Sequence, residues 1–149
     1  MISLGQQNGG PNISPSFNET VLSLRKLLSP LRSQDYAPSC PEFALILRVD
    51  GSLTRFGKEG VEPPKFHKKY VQVDIVVPEE RWEASAEAQE QYLRGIVREA
   101  LAAVISAFNK KKLPIDGEKL MRDYASLLAV IKHPGTVYSN PDPPDRDVR

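Results

Sequence analysis

The sequence has few of the features that mark a secreted or membrane-bound protein. It contains one cysteine, Cys40, so no disulfide can form within the chain, and this is typical of proteins kept in a reducing compartment. The stretch MISLGQQNGGPNISPSF has neither the basic segment nor the apolar run of a signal peptide. No run of about 18 apolar residues, the length that spans a bilayer, occurs in the chain. We therefore expect a cytoplasmic protein with no membrane partner.

An excess of charge of one sign is absent as well. The chain has 20 basic and 19 acidic residues, which gives a formal net charge of +1. A balance this close does not attract nucleic acid to the protein as a whole. The two lysine-rich stretches, KFHKKY at 65–70 and NKKK at 109–112, are interpreted as a solvated strand edge and the C-terminal end of a helix. We therefore expect no nucleic-acid partner.

Motifs for catalysis, cofactors and metals are missing. The chain has no P-loop, no nucleophile elbow, no dinucleotide-binding fingerprint, and no histidines, cysteines or acids at metal-ligand spacing. His67 and His133 stand far apart, and Cys40 lies in the proline-flanked stretch APSCPE, which is a poor support for a reactive thiolate. We predict no metal site, no cofactor and no catalytic residue.

One enzymatic alternative remains open. Asp74 interrupts the apolar letters of KKYVQVDIVVPEERW, and Glu79 and Glu80 follow shortly after it. Neighbouring carboxylates can divide the roles of general acid and general base, as a small hydrolase would need. The competing interpretation is structural. Two glutamates in a first helical turn complement the helix dipole, and Asp74 pairs with a cation on a neighbouring strand.

Composition divides the chain into four parts. Residues 1–15 consist largely of Gly, Pro, Asn, Gln and Ser, and the segment PGTVYSNPDPPDRDVR near the other end holds four prolines and three aspartates. Such segments cannot bury enough apolar surface to offset their ordering entropy, so we predict disorder in residues 1–15 and 133–149. Residues 16–41 are predicted to form a short helix and a proline-rich connector, and residues 42–132 a single α+β domain.

Three helices are predicted from capping and apolar spacing. Ser16 and Glu19 fit a capping box, which opens a short N-terminal helix that extends to about Leu28. Apolar residues at spacings of three and four then mark a long helix over residues 84–109 and a last helix that ends at Ile131.

The strands are predicted from alternation and one turn signal. Glu42–Asp50 and Ser52–Phe56 flank an Asp-Gly pair, which favours a tight β-hairpin because both turn residues tolerate a positive φ. Tyr70–Val77 alternates apolar and polar residues, so that Val73 faces one way and Asp74 the other. The prediction is an α+β fold with a three-stranded antiparallel sheet, backed by the two C-terminal helices and preceded by the short N-terminal helix.

The second face of this sheet is the predicted site. Its mixture of aromatic, charged and small apolar residues is typical of a protein interface. Trp82, just after the last strand, is either an interface anchor or a residue that packs the strand end onto the helices. A further alternative is that the N-terminal helix covers this face. The predicted partner-binding residues are Arg48, Arg55, Tyr70, Gln72, Asp74 and Trp82.

The order of these segments carries one family resemblance. FALILRVDGSLTRFGKEGVE, then KKYVQVDIVVPEERW, then a helix containing YLRGIVREAL resemble the immunity proteins of bacterial polymorphic toxin systems over residues 43–131. Those cytoplasmic proteins bind and neutralise a cognate toxin, so the resemblance implies a non-enzymatic protein-binding module that occludes the active surface of a toxin. A structural or oligomerising subunit that pairs through a sheet edge stays open as the alternative.

Overall fold

A computed structural model describes residues 2–8, 15–49, 59–78, 81 and 84–131 of the 149-residue chain. The elements, in chain order, are β1 (Ile2–Asn8), α1 (Pro15–Leu27), a 3-10 helix (Ser29–Ser33), β2 (Glu42–Val49), β3 (Gly60–Val61), β4 (Lys65–Phe66), β5 (Tyr70–Val77), α2 (Ala86–Lys110) and α3 (Gly117–Ile131). The α+β class and the three predicted helices are confirmed.

The sheet has five strands and mixed directions. Its strand order is β1–β2–β5–β3, and β4 pairs with a different part of β5. The strands β1, β2 and β5 run parallel to one another, whereas β3 and β4 run antiparallel to β5. Parallel neighbours need a crossover, and α1 supplies it between β1 and β2. The predicted sheet of three antiparallel strands is therefore wrong.

The predicted hairpin fails because both sides of β2 are taken. β1 pairs with β2 from Phe43 to Val49 on one side, and β5 pairs with all of β2 on the other. An antiparallel strand beside β2 has no edge left to bond. The Asp-Gly turn and the predicted strand Ser52–Phe56 lie outside the described residues.

A hairpin does occur, but between β4 and β5. The backbone N–H of His67 donates to the carbonyl oxygen of Tyr70 at 2.8 Å, so Lys68 and Lys69 form a two-residue turn. Two-residue hairpin turns favour Gly, Asn and Asp, and lysine gives no such signal. The sequence therefore predicted a loop where β3 and β4 lie.

β1 corrects the prediction of a disordered N-terminus. Ile2 and Leu4 are buried in the core, and the strand pairs with β2 from Ile2 to Asn8. Composition missed this strand because polar residues such as Gln6 outnumber its apolar ones. Neighbouring backbone, rather than strand propensity, holds it in place.

All three described helices pack on one face of the sheet. Their apolar stripes join a single core with the inward-facing residues of β2 and β5, as the period-two alternation predicts. The residues of β2 and β5 in this core are Phe43, Leu45, Leu47, Val71, Val73, Ile75 and Val77. Because Phe17, Val21 and Leu24 of α1 enter the same core, the alternative in which α1 covers the second face is wrong.

A buried glutamine ties α1 to the start of α2. Gln89 is 1% exposed, and its Oε1 accepts hydrogen bonds from the hydroxyls of Ser16 and Thr20, each at 3.1 Å. Its Nε2 donates to the carbonyl oxygen of Ala84 at 3.0 Å. α1 begins at Pro15, so Ser16 lies inside the helix and serves this contact instead of the predicted capping box. The N-cap of α2 is Ser85.

The proline-rich connector belongs to the core. Tyr36, Ala37 and Cys40 are all buried. The Tyr36 hydroxyl donates to Oδ2 of Asp123 at 2.8 Å, and its carbonyl oxygen accepts from the backbone N–H of Asp116 at 2.8 Å. Residues 34–41 therefore fasten α3 to the rest of the fold.

The C-terminal end of α2 has an unusual residue at its turn. The N–H of Leu113 donates to the carbonyl oxygen of Phe108 at 2.9 Å and that of Lys112 to Asn109 at 3.1 Å, which is the Schellman pattern. In this pattern the residue with positive φ is usually glycine, but here it is Lys112, with φ 57°. A side chain in that conformation costs about 1 kcal/mol relative to glycine.

Candidate functional site

The candidate site is a buried carboxylate on the sheet face away from the helices. Asp74 lies on β5, which has partner strands on both sides, opposite Ile46 of β2. Arg48 follows two residues further along β2, and Lys65 of β4 lies opposite Gln72 on the other side of β5. We name Arg48, Lys65, Gln72 and Asp74 the Asp74 cluster.

Three donors occupy both oxygens of Asp74. Arg48 Nη2 lies 3.2 Å and Lys65 Nζ 3.3 Å from Oδ2, while Gln72 Nε2 donates to Oδ1 at 2.9 Å. The Asp74 side chain is 4% exposed, that of Arg48 23% and that of Lys65 58%. The carboxylate is thus buried, and its two cations reach outward from it.

The surroundings of Asp74 stabilise its ionised form. Burial alone raises the pKa of the carboxyl group, but the hydrogen bonds from Gln72, Arg48 and Lys65 and the positive charge of Arg48 lower it by more. The net result is a pKa below the usual value for aspartate. Asp74 is therefore an anion at neutral pH, whereas a general acid needs a raised pKa.

The sequence-predicted residues fall into three groups. Arg48, Gln72 and Asp74 come together in the Asp74 cluster. Tyr70 does not join it; its ring stacks on His67, with centroids 4.4 Å apart and 14° between the planes. Four candidates, two of them partner-binding and two from the hydrolase alternative, lie outside the described residues: Arg55, Trp82, Glu79 and Glu80.

Sequence reasoning missed Lys65 as a partner of Asp74. It stood in a stretch predicted as loop, whereas β4 brings it beside Gln72. The only available signal was the short spacing between KFHKKY and Asp74, which would allow a hairpin around the two lysines. Because those lysines do not mark a tight turn, the pairing could not be derived from local preference.

The rest of this face is mixed in character. Ala44 and Ile46 of β2 are half-buried, Val76 of β5 is buried, and Tyr70 at the start of β5 is half-buried. No helix of the described chain packs on these residues, because the helices all join the core on the other side. The face therefore combines a small apolar centre with the cations of the Asp74 cluster.

A groove of about 450 Å³ lies between α1 and α2, near the start of α2. Leu24, Leu27 and Leu93 contribute apolar lining, and Glu19 and Glu87 are among the acids that line it. Glu90 also lines the groove and pairs with Arg94 one turn along α2. This end of α2 is therefore acidic.

Cys40 and Tyr36 are packed into the core of this fold. Burial raises the pKa of the Cys40 thiol, which leaves it protonated and a weak nucleophile at neutral pH. Burial and the Asp123 carboxylate raise the pKa of Tyr36. Hydrogen bonds from Tyr36 and Lys119 lower the pKa of Asp123, which makes this group a second anchored anion.

Two further properties concern the described part of the chain only. In residues 2–8, 15–49, 59–78, 81 and 84–131, no three or more His, Cys, Asp or Glu side chains are grouped so that they could hold a metal ion. Among the helices described there, none combines the length and apolar character needed to cross a bilayer.

The chain was also compared with proteins already known. Comparisons with protein-family models, with curated proteins and with solved structures found no match.

Proposed function

We propose that this chain is a non-enzymatic protein-binding module, an immunity protein that neutralises a cognate bacterial toxin by covering its active surface. The observation that carries the proposal is the sheet face opposite the helices. It holds two outward-reaching cations, Arg48 and Lys65, fixed on the buried carboxylate of Asp74. The partner is a protein that meets this face.

The Asp74 cluster suits binding because it positions its cations in advance. Ordering a long side chain at an interface costs about 0.5–1.5 kcal/mol, and the bonds to Asp74 have already ordered Arg48 and Lys65. Arginine and tyrosine are enriched at interfaces, and this face has Arg48 and Tyr70. Ala44 and Ile46 supply apolar area on the same face. The face thereby offers charge for orientation and apolar surface for affinity.

The same geometry gives less support to the two alternatives. A hydrolase that uses Asp74 would need the carboxyl group to exchange protons, but three donors hold it ionised. A subunit that pairs through a sheet edge would use β1 or the β3–β4 side. Arg25 Nε already donates to the Leu4 carbonyl of β1 at 2.9 Å, and β3 and β4 have two residues each. A side chain that bonds the backbone of an edge strand hinders pairing with a strand from another molecule, and so does a very short edge strand.

Co-expression with toxin genes from neighbouring positions in the native host tests the proposal. We expect the wild-type chain to rescue growth from one of them and to bind that toxin stoichiometrically in a pull-down. Failure to rescue cells from every neighbouring candidate would refute the toxin-neutralising function. Light scattering that showed a stable oligomer in place of a monomer would favour the edge-pairing subunit instead.

A matched pair of variants tests the face itself. Ile46→Ala truncates a half-buried apolar residue of the face, and Leu22→Ala truncates an exposed one on α1, 48% exposed. If the face is the interface, Ile46→Ala weakens toxin binding by about tenfold or more, the range of an interface hot spot. Leu22→Ala should leave binding unchanged. Equal effects of the two variants would remove the face from the interface.

A further inference from the structure

Two lysine segments that are far apart in the chain lie side by side in the fold. Lys68 and Lys69 form the turn of the β4–β5 hairpin; Lys110 is the last residue of α2, and Lys111 and Lys112 follow it. Phe66 joins the two segments: its ring centroid lies 5.1 Å from that of Phe108 and 4.9 Å from Lys111 Nζ. We name these five lysines the lysine end.

The positive charge of the lysine end is not neutralised within the described chain. All five lysines are exposed, and none forms an ion pair with a residue that the structure describes. Glu42, which lies opposite Tyr70, and Asp116, whose Oδ1 accepts the N–H of Lys119 at the start of α3, form no ion pair with these lysines in the described chain. The charge therefore faces solvent.

Lys112 gives an independent sign that this charge matters. It occupies the left-handed position of the helix end, which glycine fits without strain, yet it makes no described ion pair. Attraction to the helix dipole accounts for a cation in the last turn, but not for a side chain in that backbone conformation. The strained backbone at Lys112 therefore occurs together with an exposed positive charge.

The net charge of +1 conceals a concentration of positive charge at the C-terminal end of α2. The helix is 25 residues long, or about 37 Å; earlier along it the acids Glu87, Glu90 and Glu99 are largely balanced by Arg94 and Arg98, whereas the lysine end at its finish is positive only. An acidic partner is attracted to that end of the molecule. Such a field orients an encounter and raises the association rate.

The geometry favours an acidic protein over a nucleic acid. Lysine side chains bind phosphates as well as carboxylates, so the distinction rests on the shape of the surface. The backbone N–H groups of Lys111, Lys112 and Leu113 are all bonded to carbonyls of α2 and add no phosphate site of the helix N-terminus kind. Proteins that bind single-stranded nucleic acids hold the nucleic-acid backbone in a basic groove. The grooves lined by α1, by β1 or by the flanks of α2 do not contain these lysines.

We infer that the lysine end is the surface through which this protein meets an acidic protein partner, with ammonium groups that steer and orient the approach. The inference rests on the proposed function only in taking the partner to be a protein. The two lysine segments raise the rate of association, and the sheet face supplies the specific contacts.

The test uses fluorescence anisotropy with a labelled poly-glutamate peptide as the probe. The wild-type chain should bind it, with affinity falling steeply as salt rises from about 0.01 M to about 0.15 M. Lys69→Glu should weaken binding about fivefold at low salt. The matched control is Arg98→Glu, which changes net charge equally but lies on α2 about 18 Å from Lys110. Equal losses in both variants would overturn the inference.

A second variant separates charge from folding. Lys112→Gly should raise the melting temperature, because glycine fits the left-handed position, and should weaken peptide binding about twofold. A purely structural role for Lys112 gives the higher melting temperature with unchanged binding, which would count against the inference.

A labelled single-stranded oligothymidylate, measured under the same conditions, tests the class of partner. We expect weaker binding than to poly-glutamate; tighter binding that Lys69→Glu abolishes would replace the acidic protein with a nucleic acid. None of these measurements involves a toxin, so they can fail while rescue succeeds, or succeed while rescue fails.

Discussion

The two faces of β5 are held by different kinds of interaction. Toward the helices, Val71, Val73 and Ile75 are fully buried among apolar side chains from α1, α2 and α3. On the other face, Asp74 is nearly as buried, but its neighbours are the polar groups of Arg48, Lys65 and Gln72. The residues of the first face are stable in the interior because they remove apolar area from water. Asp74 on the second face is stable there because its carboxylate oxygens are hydrogen-bonded. One strand therefore carries a packing face and a face of defined charge geometry.

The largest expected effect comes from the packing face. Leu45→Ala removes a fully buried side chain of β2 from the core and leaves a cavity among the helices. We expect the free energy of unfolding to fall by about 2–5 kcal/mol. Urea denaturation followed by circular dichroism measures it. A loss below that of Asp74→Asn would contradict the view that the helix-covered face supplies most of the stability.

An intermediate effect is expected for Asp74→Asn on the second face. The variant keeps the shape of the side chain but removes the charge that Arg48 and Lys65 bond. Hydrogen bonds to charged groups contribute about 1.5–3 kcal/mol, and both cations can regain water because they are partly exposed, so we expect a loss of about 1–3 kcal/mol. Asp35→Asn, at an exposed carboxylate, is the matched control and should change stability little.

The same variant should alter the dependence of stability on pH. The pKa of Asp74 is lower in the folded protein than in the unfolded chain, where the pKa of aspartate is about 3.9. The stability from ionised Asp74 is therefore present above that pH and is lost as the pH falls through the folded pKa. The difference between wild type and Asp74→Asn should shrink below about pH 4. A difference that stays constant with pH would show that the charge of Asp74 contributes nothing.

The smallest expected effect is that of Ile46→Ala, the neighbour of Leu45 on the opposite face. Its side chain is only half-buried, so truncation should lower the free energy of unfolding by about 1 kcal/mol. Paired with Leu45→Ala, it compares adjacent residues of one strand on the two faces. A loss as large as that of Leu45→Ala would mean that the second face is packed as tightly as the first.

The two faces also differ in how far sequence predicts them. Alternation in Tyr70–Val77 placed Val73 inward and Asp74 outward, because a strand has a period of two whatever its neighbours are. Strand order has no such local rule. The partners of Asp74 depend on β2 lying on one side of β5 and β4 on the other, and the Asp-Gly pair indicated a different neighbour for β2.

β1 and Lys65 show the same limit. The polar composition of residues 2–8 predicted disorder, since the strand is stabilised by the backbone of β2 rather than by its own preference. Lys65 reaches Asp74 only because two lysines make a tight turn. Local chemistry therefore predicted which residues share a face, and distant pairing decided which residues meet.

The parallel arrangement of β1, β2 and β5 has a consequence for how the chain folds. Ile2 pairs with Phe43, and Phe43 pairs with Val71, so each parallel pairing joins segments separated by a helix and connector or by a hairpin. Before two distant segments can form stabilising contacts, the chain between them must close into a long loop. The conformational entropy lost in that closure slows folding. During synthesis, β1 has no partner until β2 has emerged, and β2 lacks its second partner until β5 follows. The central pairing of the sheet, between β2 and β5, is thus completed only after both flanking segments have been made.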